Sequence, residues 1–246
     1  MSNPENNRDG NAAPSISLNT SFVDRNNFFT YTSGRWLWDE EYQLKQRSIR
    51  FDVQALAAAA AQSVVADSCV EVSKLGEGNF NKTFLLKMDN DVEVVARIPH
   101  PNAGPPHLTT ASEVATLSFL RNHLKINVPK VFSWSSNASS TPVGAEYILM
   151  ERANGVELNS RWETLSDADR TRFLKEYFPV EKKLAEIKFP KYGCLYFKDD
   201  LPNISESDVI FDQYVVGPTT SLAFWSETSD IDIDRGPCKS PHQSQS

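Results

Sequence analysis

A glycine-rich turn between two strand-like runs constrains the fold of this chain more than any other feature of its sequence. The turn is Gly76-Glu77-Gly78-Asn79-Phe80, and the runs that flank it cover residues 70–75 and 83–88. A third run, at residues 92–98, follows the sequence Met-Asp-Asn-Asp, whose residues favour a tight turn. This pattern predicts a three-stranded antiparallel sheet with a glycine turn at one end.

A helix and two further strands are expected to follow this sheet. Thr110 and Glu113 fit a capping box, in which the threonine caps the helix and the glutamate returns to the cap amide. Apolar residues at helical spacing extend this helix over residues 110–124. Residues 128–134 and 145–150 are predicted to be strands, so the order is three strands, a helix and two strands.

The flanking regions are predicted to be less regular. Residues 28–50 are rich in aromatic and charged side chains, and we expect them to pack as an arm against the sheet. Residues 52–66 predict an alanine-rich helix. Residues 166–187 predict another, which Pro179 should kink or break because proline lacks the amide proton. Residues 190–246 are expected to be mostly loop.

Composition excludes several classes of protein. The formal net charge of -7 disfavours nonspecific nucleic-acid binding. Cys69, Cys194 and Cys238 are far apart and have no metal-ligand spacing, so reduced thiols are expected. The longest apolar run, at residues 55–61, is far shorter than the roughly 20 residues that a membrane helix needs. Residues 1–10 lack the apolar core of a secretory signal and read as disordered.

The chemistry predicted for the turn is phosphate binding. Gly76 and Gly78 would let backbone amides approach phosphate oxygens, because glycine has no side chain in the way. Arg97 lies on the second strand after the turn, and Glu113 lies at the start of the next helix. Kinase-type phosphoryl transfer uses such a trio of lid, cation and orienting acid. Taken singly, each residue also has an ordinary interpretation as a hairpin turn, a strand-edge charge or a capping partner.

A second type of phosphate loop is the competing interpretation. Residues 76–83 nearly match the pattern G-x-x-x-x-G-K-[ST], with Asn81 in place of the second glycine and Lys82 as the lysine. That loop must open a helix, whereas the residues after Lys82 predict a strand. The sequence therefore favours the kinase-type lid.

Several segments together resemble the aminoglycoside phosphotransferase-like proteins, and within them the fungal branch of the altered inheritance of mitochondria protein 9 type. The segments are GEGNFNKTF, VVARIP, TTASEVATLSFLR, VPKVFSW, PVGAEYILMERANGVEL and YGCLYFKDDLP. The resemblance implies an α+β, protein-kinase-like fold with a small lobe of antiparallel sheet plus one helix and an incomplete, mostly helical large lobe. It also implies ATP as the cofactor and a small-molecule hydroxyl, of unknown identity, as the phosphate acceptor.

The same resemblance assigns roles to individual residues. It implies that Arg97 takes the place of the phosphate-pairing lysine and Glu113 that of the helix glutamate. Residues 147–151 match the hinge that would hold the adenine through backbone groups, and within it Leu149 and Glu151 are assigned to the nucleotide. The full set of residues expected to bind the nucleotide is Gly76, Gly78, Asn79, Phe80, Arg97, Glu113, Leu149 and Glu151.

The family's catalytic loop has no counterpart in these residues. No segment matches H-G-D-x-x-x-x-N, and His242 is followed by Gln-Ser-Gln-Ser. Magnesium is expected in full-length relatives, but no catalytic residue and no metal ligand is identified here. Asp230, Asp232 and Asp234 read as a solvated acidic loop. We therefore predict a C-terminally truncated, inactive chain. A noncatalytic nucleotide-binding or protein-interaction module and an unstable fragment remain alternatives.

The predicted organisation follows from these assignments. Residues 1–27 form a disordered lead-in, residues 28–152 the arm and small lobe with the hinge, residues 153–230 part of the large lobe, and residues 231–246 a disordered tail. The chain is expected to be intracellular. The resemblance suggests mitochondria, whereas the absence of a clear presequence suggests the cytoplasm.

Overall fold

The computed structural model describes residues 26–225 and 233–239. Most of the predicted lead-in, Asp230 and Asp232 of the acidic run, and the last seven residues lie outside this description. Within the predicted tail, Cys238 is buried and forms an isolated bridge with Tyr192. The predicted domain boundaries remain a prediction.

A five-stranded antiparallel sheet forms the centre of the described structure, as the predicted fold class requires. Its strands are β1 (Cys69–Glu77), β2 (Asn81–Met88), β3 (Glu93–Pro99), β4 (Val131–Ser135) and β5 (Tyr147–Glu151). Their spatial order is β1-β2-β3-β5-β4, and every neighbouring pair is antiparallel. Buried residues alternate with less buried ones along β2 and β3, because successive side chains point to opposite faces of a sheet.

Five helices accompany this sheet in the described residues. They are α1 (Asn26–Phe29), α2 (Glu40–Gln46), α3 (Val53–Ser63), α4 (Leu108–Ser118) and α5 (Asp167–Glu186). The carboxylate of Asp52 caps α3 by accepting from the amides of Gln54 and Ala55. The helix predicted at residues 52–66 is therefore confirmed, with the cap at its first residue.

The two faces of the sheet pack against different helices. On one face, Phe84, Ala96 and Leu149 join a core that also contains Leu56 and Ala60 of α3. On the other face, Val114 of α4 packs against Ile148 and Met150 of β5. Arg97 is one residue from Ala96, so its side chain belongs to the face that carries α4.

The predicted capping box at Thr110 is wrong. Helix α4 begins at Leu108, after His107. Thr110 is buried and donates its hydroxyl to Glu146 instead of capping the helix, and Glu113 pairs with Arg97. Both side chains find stronger partners in neighbouring elements, which local sequence spacing cannot reveal. The helix is followed by a π-helical turn, Phe119–His123, which completes the predicted helical region.

In the second half of the chain, the predicted break at Pro179 is wrong, and the region expected to be mostly loop contains two short strands. Helix α5 runs through Pro179 without a break. It has no buried residues, so few tertiary contacts are lost if its backbone adjusts around the proline. The described part of residues 190–246 is mostly irregular, as predicted, but it contains β6 (Cys194–Phe197) and β7 (Tyr214–Gly217), which form an antiparallel pair. Neither residues 26–225 nor residues 233–239 contain a helix long and apolar enough to cross a membrane.

Candidate nucleotide-phosphate site

The glycine turn connects β1 to β2 and is closed by its own hydrogen bonds. The amide of Gly78 donates to the carbonyl of Asn81 at 2.9 Å. The hydroxyl of Thr83 donates to the carbonyl of Gly76 at 3.0 Å. A Cβ atom added at either glycine would meet no heavy atom within 4 Å. The two glycines therefore leave open space beside the turn.

Two backbone amides at the tip of the turn are available for a ligand. The N–H groups of Asn79 and Phe80 have no acceptor within residues 26–225 or 233–239. Their carbonyls, in contrast, are both engaged by His100. The His100 amide donates to Phe80 at 2.8 Å, and its Nδ1 donates to Asn79 at 3.3 Å. The turn is thus fixed through its carbonyls while its amides stay free to donate.

A cavity of about 530 Å³ lies beneath the turn. Five of the residues predicted to bind the nucleotide line it: Gly76, Gly78, Asn79, Phe80 and Arg97. The other lining residues are Glu77, Asn81, Thr83, Val95 and Met150. The cavity is therefore bounded by the turn on one side and by one face of the sheet on the other.

Arg97 and Glu113 form an ion pair across the gap between β3 and α4. Nη1 of Arg97 donates to Oε1 of Glu113, and the two side chains are 35% and 24% exposed. Burial raises the pKa of Glu113, and the guanidinium of Arg97 opposes that rise. The remaining N–H groups of Arg97 find no acceptor in the described part of the chain. The pair leaves these donors available at the cavity wall.

Leu149 and Glu151 are not brought to this cavity. The side chain of Leu149 is fully buried in the core, and its backbone lies between partners on β3 and β4. Glu151 accepts from the amide of Lys130 at 3.0 Å and from Arg121 at 3.3 Å. Met150, between them, lines the cavity instead. Adenine binding by backbone groups of Leu149 or Glu151 stays a prediction.

The predicted hinge at residues 147–151 includes Met150, but the sequence predicts neither the Met150 side chain nor Val95 as an apolar part of the cavity wall. Val95 is two residues from Arg97 and thus shares its face of the sheet. Met150 is two residues from Ile148, which pairs with Arg97 in the β3–β5 register. Strand alternation could have identified Val95, but the place of the Met150 side chain in the cavity depends on a register that no local signal gives.

The competing phosphate-loop interpretation is not supported. Lys82, its essential lysine, is fully buried and pairs with Glu77 instead of lining the cavity. The segment that contains it is strand β2 and does not open a helix.

The described residues offer no cluster for a metal ion. No three His, Cys, Asp or Glu side chains among them are grouped as ligands. We derive no chemical step through the magnesium that is expected in full-length relatives.

An antiparallel sheet with a glycine turn, a strand cation and a paired helix glutamate is the small-lobe arrangement of kinase-like phosphotransferases. A sequence profile of the phosphotransferase enzyme family, APH, matches residues 71–206. Because the match covers more than half of the 246 residues, this chain belongs to that family.

The chain is also similar to curated fungal proteins. A subtelomeric hrmA-associated cluster protein of Aspergillus fumigatus is 49% identical over 174 residues, which are 70% of this chain and 34% of that relative. The mitochondrial altered inheritance of mitochondria protein 9 of Yarrowia lipolytica is 27% identical over 244 residues, covering 87% of this chain and 42% of the relative. This chain thus spans between about a third and two fifths of the length of these relatives.

Proposed function

We propose that this chain binds ATP in the cavity beneath the glycine turn, as the nucleotide-binding part of an ATP-dependent phosphotransferase that acts on a small-molecule alcohol. The observation that carries the proposal is the Arg97–Glu113 pair, which lies next to that turn on the same face of the sheet. In kinase-type enzymes, a cation at this place contacts the nucleotide phosphates and is oriented by the helix acid.

The chain's own groups suit an anionic, partly apolar ligand. The free amides of Asn79 and Phe80 are donors for phosphate oxygens, since successive backbone N–H groups in a turn form anion sites. Arg97 adds a planar set of donors that matches a phosphate, and Glu113 fixes its orientation. Val95 and Met150 supply an apolar surface on which a base can pack.

We also propose that these 246 residues do not catalyse phosphate transfer by themselves. The family form H-G-D-x-x-x-x-N supplies a base and a metal ligand, and no segment of this sequence matches it. The noncatalytic alternative, a module that only binds a nucleotide, predicts the same binding site. An assay of the purified chain with ATP and a panel of small alcohols and sugars tests the proposed inactivity, and turnover would refute it.

A mitochondrial location is the second part of the proposal. Relatives from Yarrowia lipolytica, Clavispora lusitaniae and Komagataella phaffii are named mitochondrial. Microscopy of the tagged protein in its native host, beside a mitochondrial marker, tests this location.

Calorimetric titration with MgATP tests the binding proposal through Arg97. Replacing Arg97 by Met removes the phosphate donors, and we expect Kd to rise by about tenfold to a hundredfold. Lys87→Met is the matched control, because Lys87 is also a strand cation but pairs with Asp91 away from the cavity, at 3.7 Å. Unchanged affinity in Arg97→Met, or no binding by the wild-type chain, would contradict the proposal.

A further inference from the structure

A buried cluster of charges lies directly behind the glycine turn. Glu77, the middle residue of Gly-Glu-Gly, has a fully buried side chain that pairs with Lys82 and, at 2.9 Å, with Lys74. Lys82 is also fully buried, and Lys74 is 14% exposed. A residue at the tip of a hairpin normally faces water, so the burial of Glu77 needs a cover from elsewhere in the chain.

The cover comes from residues 27–33, which include the first residues of the arm predicted at residues 28–50. The amide and hydroxyl of Thr32 both donate to Oε1 of Glu77, and the hydroxyl of Ser33 reaches the same oxygen at 3.4 Å. In return, Lys82 donates to the carbonyl of Thr30 at 2.8 Å, and Lys74 donates to that of Asn27 at 2.9 Å. Every charge in the cluster is therefore tied to the arm as well as to its ionic partner.

This charge cluster is better suited to fixing the position of the glycine turn than to increasing the stability of the fold. Burial opposes the ionisation of Glu77, but hydrogen bonds from Lys82, Lys74 and Thr32 outweigh it and lower the pKa to about 2. Burial lowers the pKa of Lys82, against the raising effect of Glu77. Desolvation offsets much of the attraction in a buried ion pair, so such pairs add little net stability. What the pair does fix is the location of the two side chains.

His100 holds the other side of the same turn. It engages the carbonyls of Asn79 and Phe80, and the ring of Tyr31 from the arm packs edge-on against it with ring centroids 6.2 Å apart. The turn is thus held at residue 77 by the charge cluster and at residues 79–80 by His100. Its two free amides lie between these attachments.

We propose that Glu77 and Lys82, covered by the arm, are positioning residues. They hold the glycine turn in the position in which its backbone amides can donate to nucleotide phosphates. This inference rests on the proposed function, because it assigns the turn its ligand. Neither side chain touches the phosphates in this scheme. Glu77 and Lys82 restrict the conformations of the turn before any ligand binds. The conformational entropy of the turn is therefore lost on folding, and its loss does not weaken nucleotide binding.

The test uses a double variant that untethers the turn and leaves neither member of the fully buried Glu77–Lys82 pair alone. Lys74 loses its ionic partner but keeps its hydrogen bonds to Asn27 and Thr32. Glu77→Gln combined with Lys82→Met replaces the ion pair by neutral groups of similar size, a change that is often tolerated in stability. Thr32→Val combined with Ser33→Ala is the second variant, since it removes two hydroxyl donors from the arm and keeps the ion pairs. Lys87→Met, on the exposed part of β2, is the control.

The first readout needs no ligand. Hydrogen–deuterium exchange at the amide of Gly78 should be at least about tenfold faster in the double variant than in the control, because the turn then opens more often. Equal exchange in the two proteins would overturn the positioning role, whether or not the chain binds a nucleotide.

The second readout compares MgATP with adenosine, which lacks phosphates. We expect the double variant to bind MgATP about tenfold more weakly and adenosine with unchanged affinity, and the arm variant to change in the same direction by less. Equal weakening for both ligands would indicate a merely structural role and overturn the inference. Failure of the wild-type chain to bind either ligand, together with faster exchange in the variant, would refute the proposed function separately.

Discussion

At the scale of single residues, burial separates the two cations that the sequence placed near the glycine turn. Lys82 is fully buried and bonded to Glu77 and Thr30, so it has no route to a ligand. Arg97 is 35% exposed, pairs with Glu113 through one nitrogen, and lines the cavity. Strand alternation places Arg97 on the face of the sheet that lines the cavity, and its predicted role as the phosphate cation stays a prediction.

The free energy of unfolding should depend on pH through the protonation of His100. Burial lowers its pKa to about 4, although the hydrogen bond to Asn79 opposes this. In the folded protein, His100 therefore stays neutral at pH values at which the same histidine in the unfolded chain, with its ordinary pKa of 6.5, binds a proton. Stability is then complete above pH 6.5 and declines as the pH falls towards 4. Between pH 7 and pH 5, we expect the free energy of unfolding to drop by about 2 kcal/mol.

Urea unfolding at pH 7 and pH 5 measures this contribution. The range avoids Glu77, whose lowered pKa affects stability only below its ordinary value of 4.5. In His100→Gln the drop should shrink by most of that amount, whereas His123→Gln, which removes a ring stacked on Phe119, should retain it. An identical drop in wild type and His100→Gln would show that this histidine is not the group responsible.

At the scale of secondary-structure elements, regular alternation and clear turn residues made the first half of the chain predictable. The three predicted strands at residues 70–98 correspond to β1, β2 and β3 within two residues at each end. The predicted start of α4 failed because Thr110 and Glu113 bond to other elements instead of the helix end. Strands β6 and β7 escaped prediction because each has four residues. Their pairing depends on the burial of Tyr196 and Tyr214, two residues that lie apart in the sequence.

The β6–β7 pair should be sensitive to a methyl group at Gly193. A Cβ atom there would lie 2.1 Å from the carbonyl oxygen of Gly217, a backbone atom on the partner strand. We expect Gly193→Ala to lower the free energy of unfolding by about 1–3 kcal/mol, because a packed strand pair must shift to admit it. Gly34→Ala is the control, since its Cβ would lie 3.9 Å from Tyr31. Equal stabilities by thermal unfolding would contradict the observed packing.

At the scale of the whole molecule, the candidate site depends on how the strands of the sheet pair, and no single sequence motif contains it. The cavity combines a turn, a face of β3 and one residue of β5, and these elements come from three separate parts of the sequence. Sequence patterns could predict the turn, Arg97 and a hinge that contains Met150. They could not predict that the Met150 side chain lines the cavity, because the pairing of β3 with β5 crosses α4 and β4. The arm's contacts with Glu77 were equally hidden, since they join residues about 45 positions apart.

The most direct test of the account is a backbone amide NMR titration of the isotope-labelled protein with MgATP. If the nucleotide phosphates bind beneath the glycine turn, the largest shift changes will fall at residues 76–80 and at Arg97. A larger cavity of about 810 Å³, lined by residues that include Phe119, Lys188 and Leu195, provides an internal comparison. Shift changes centred on that cavity, with residues 76–80 unmoved, would contradict the proposed site.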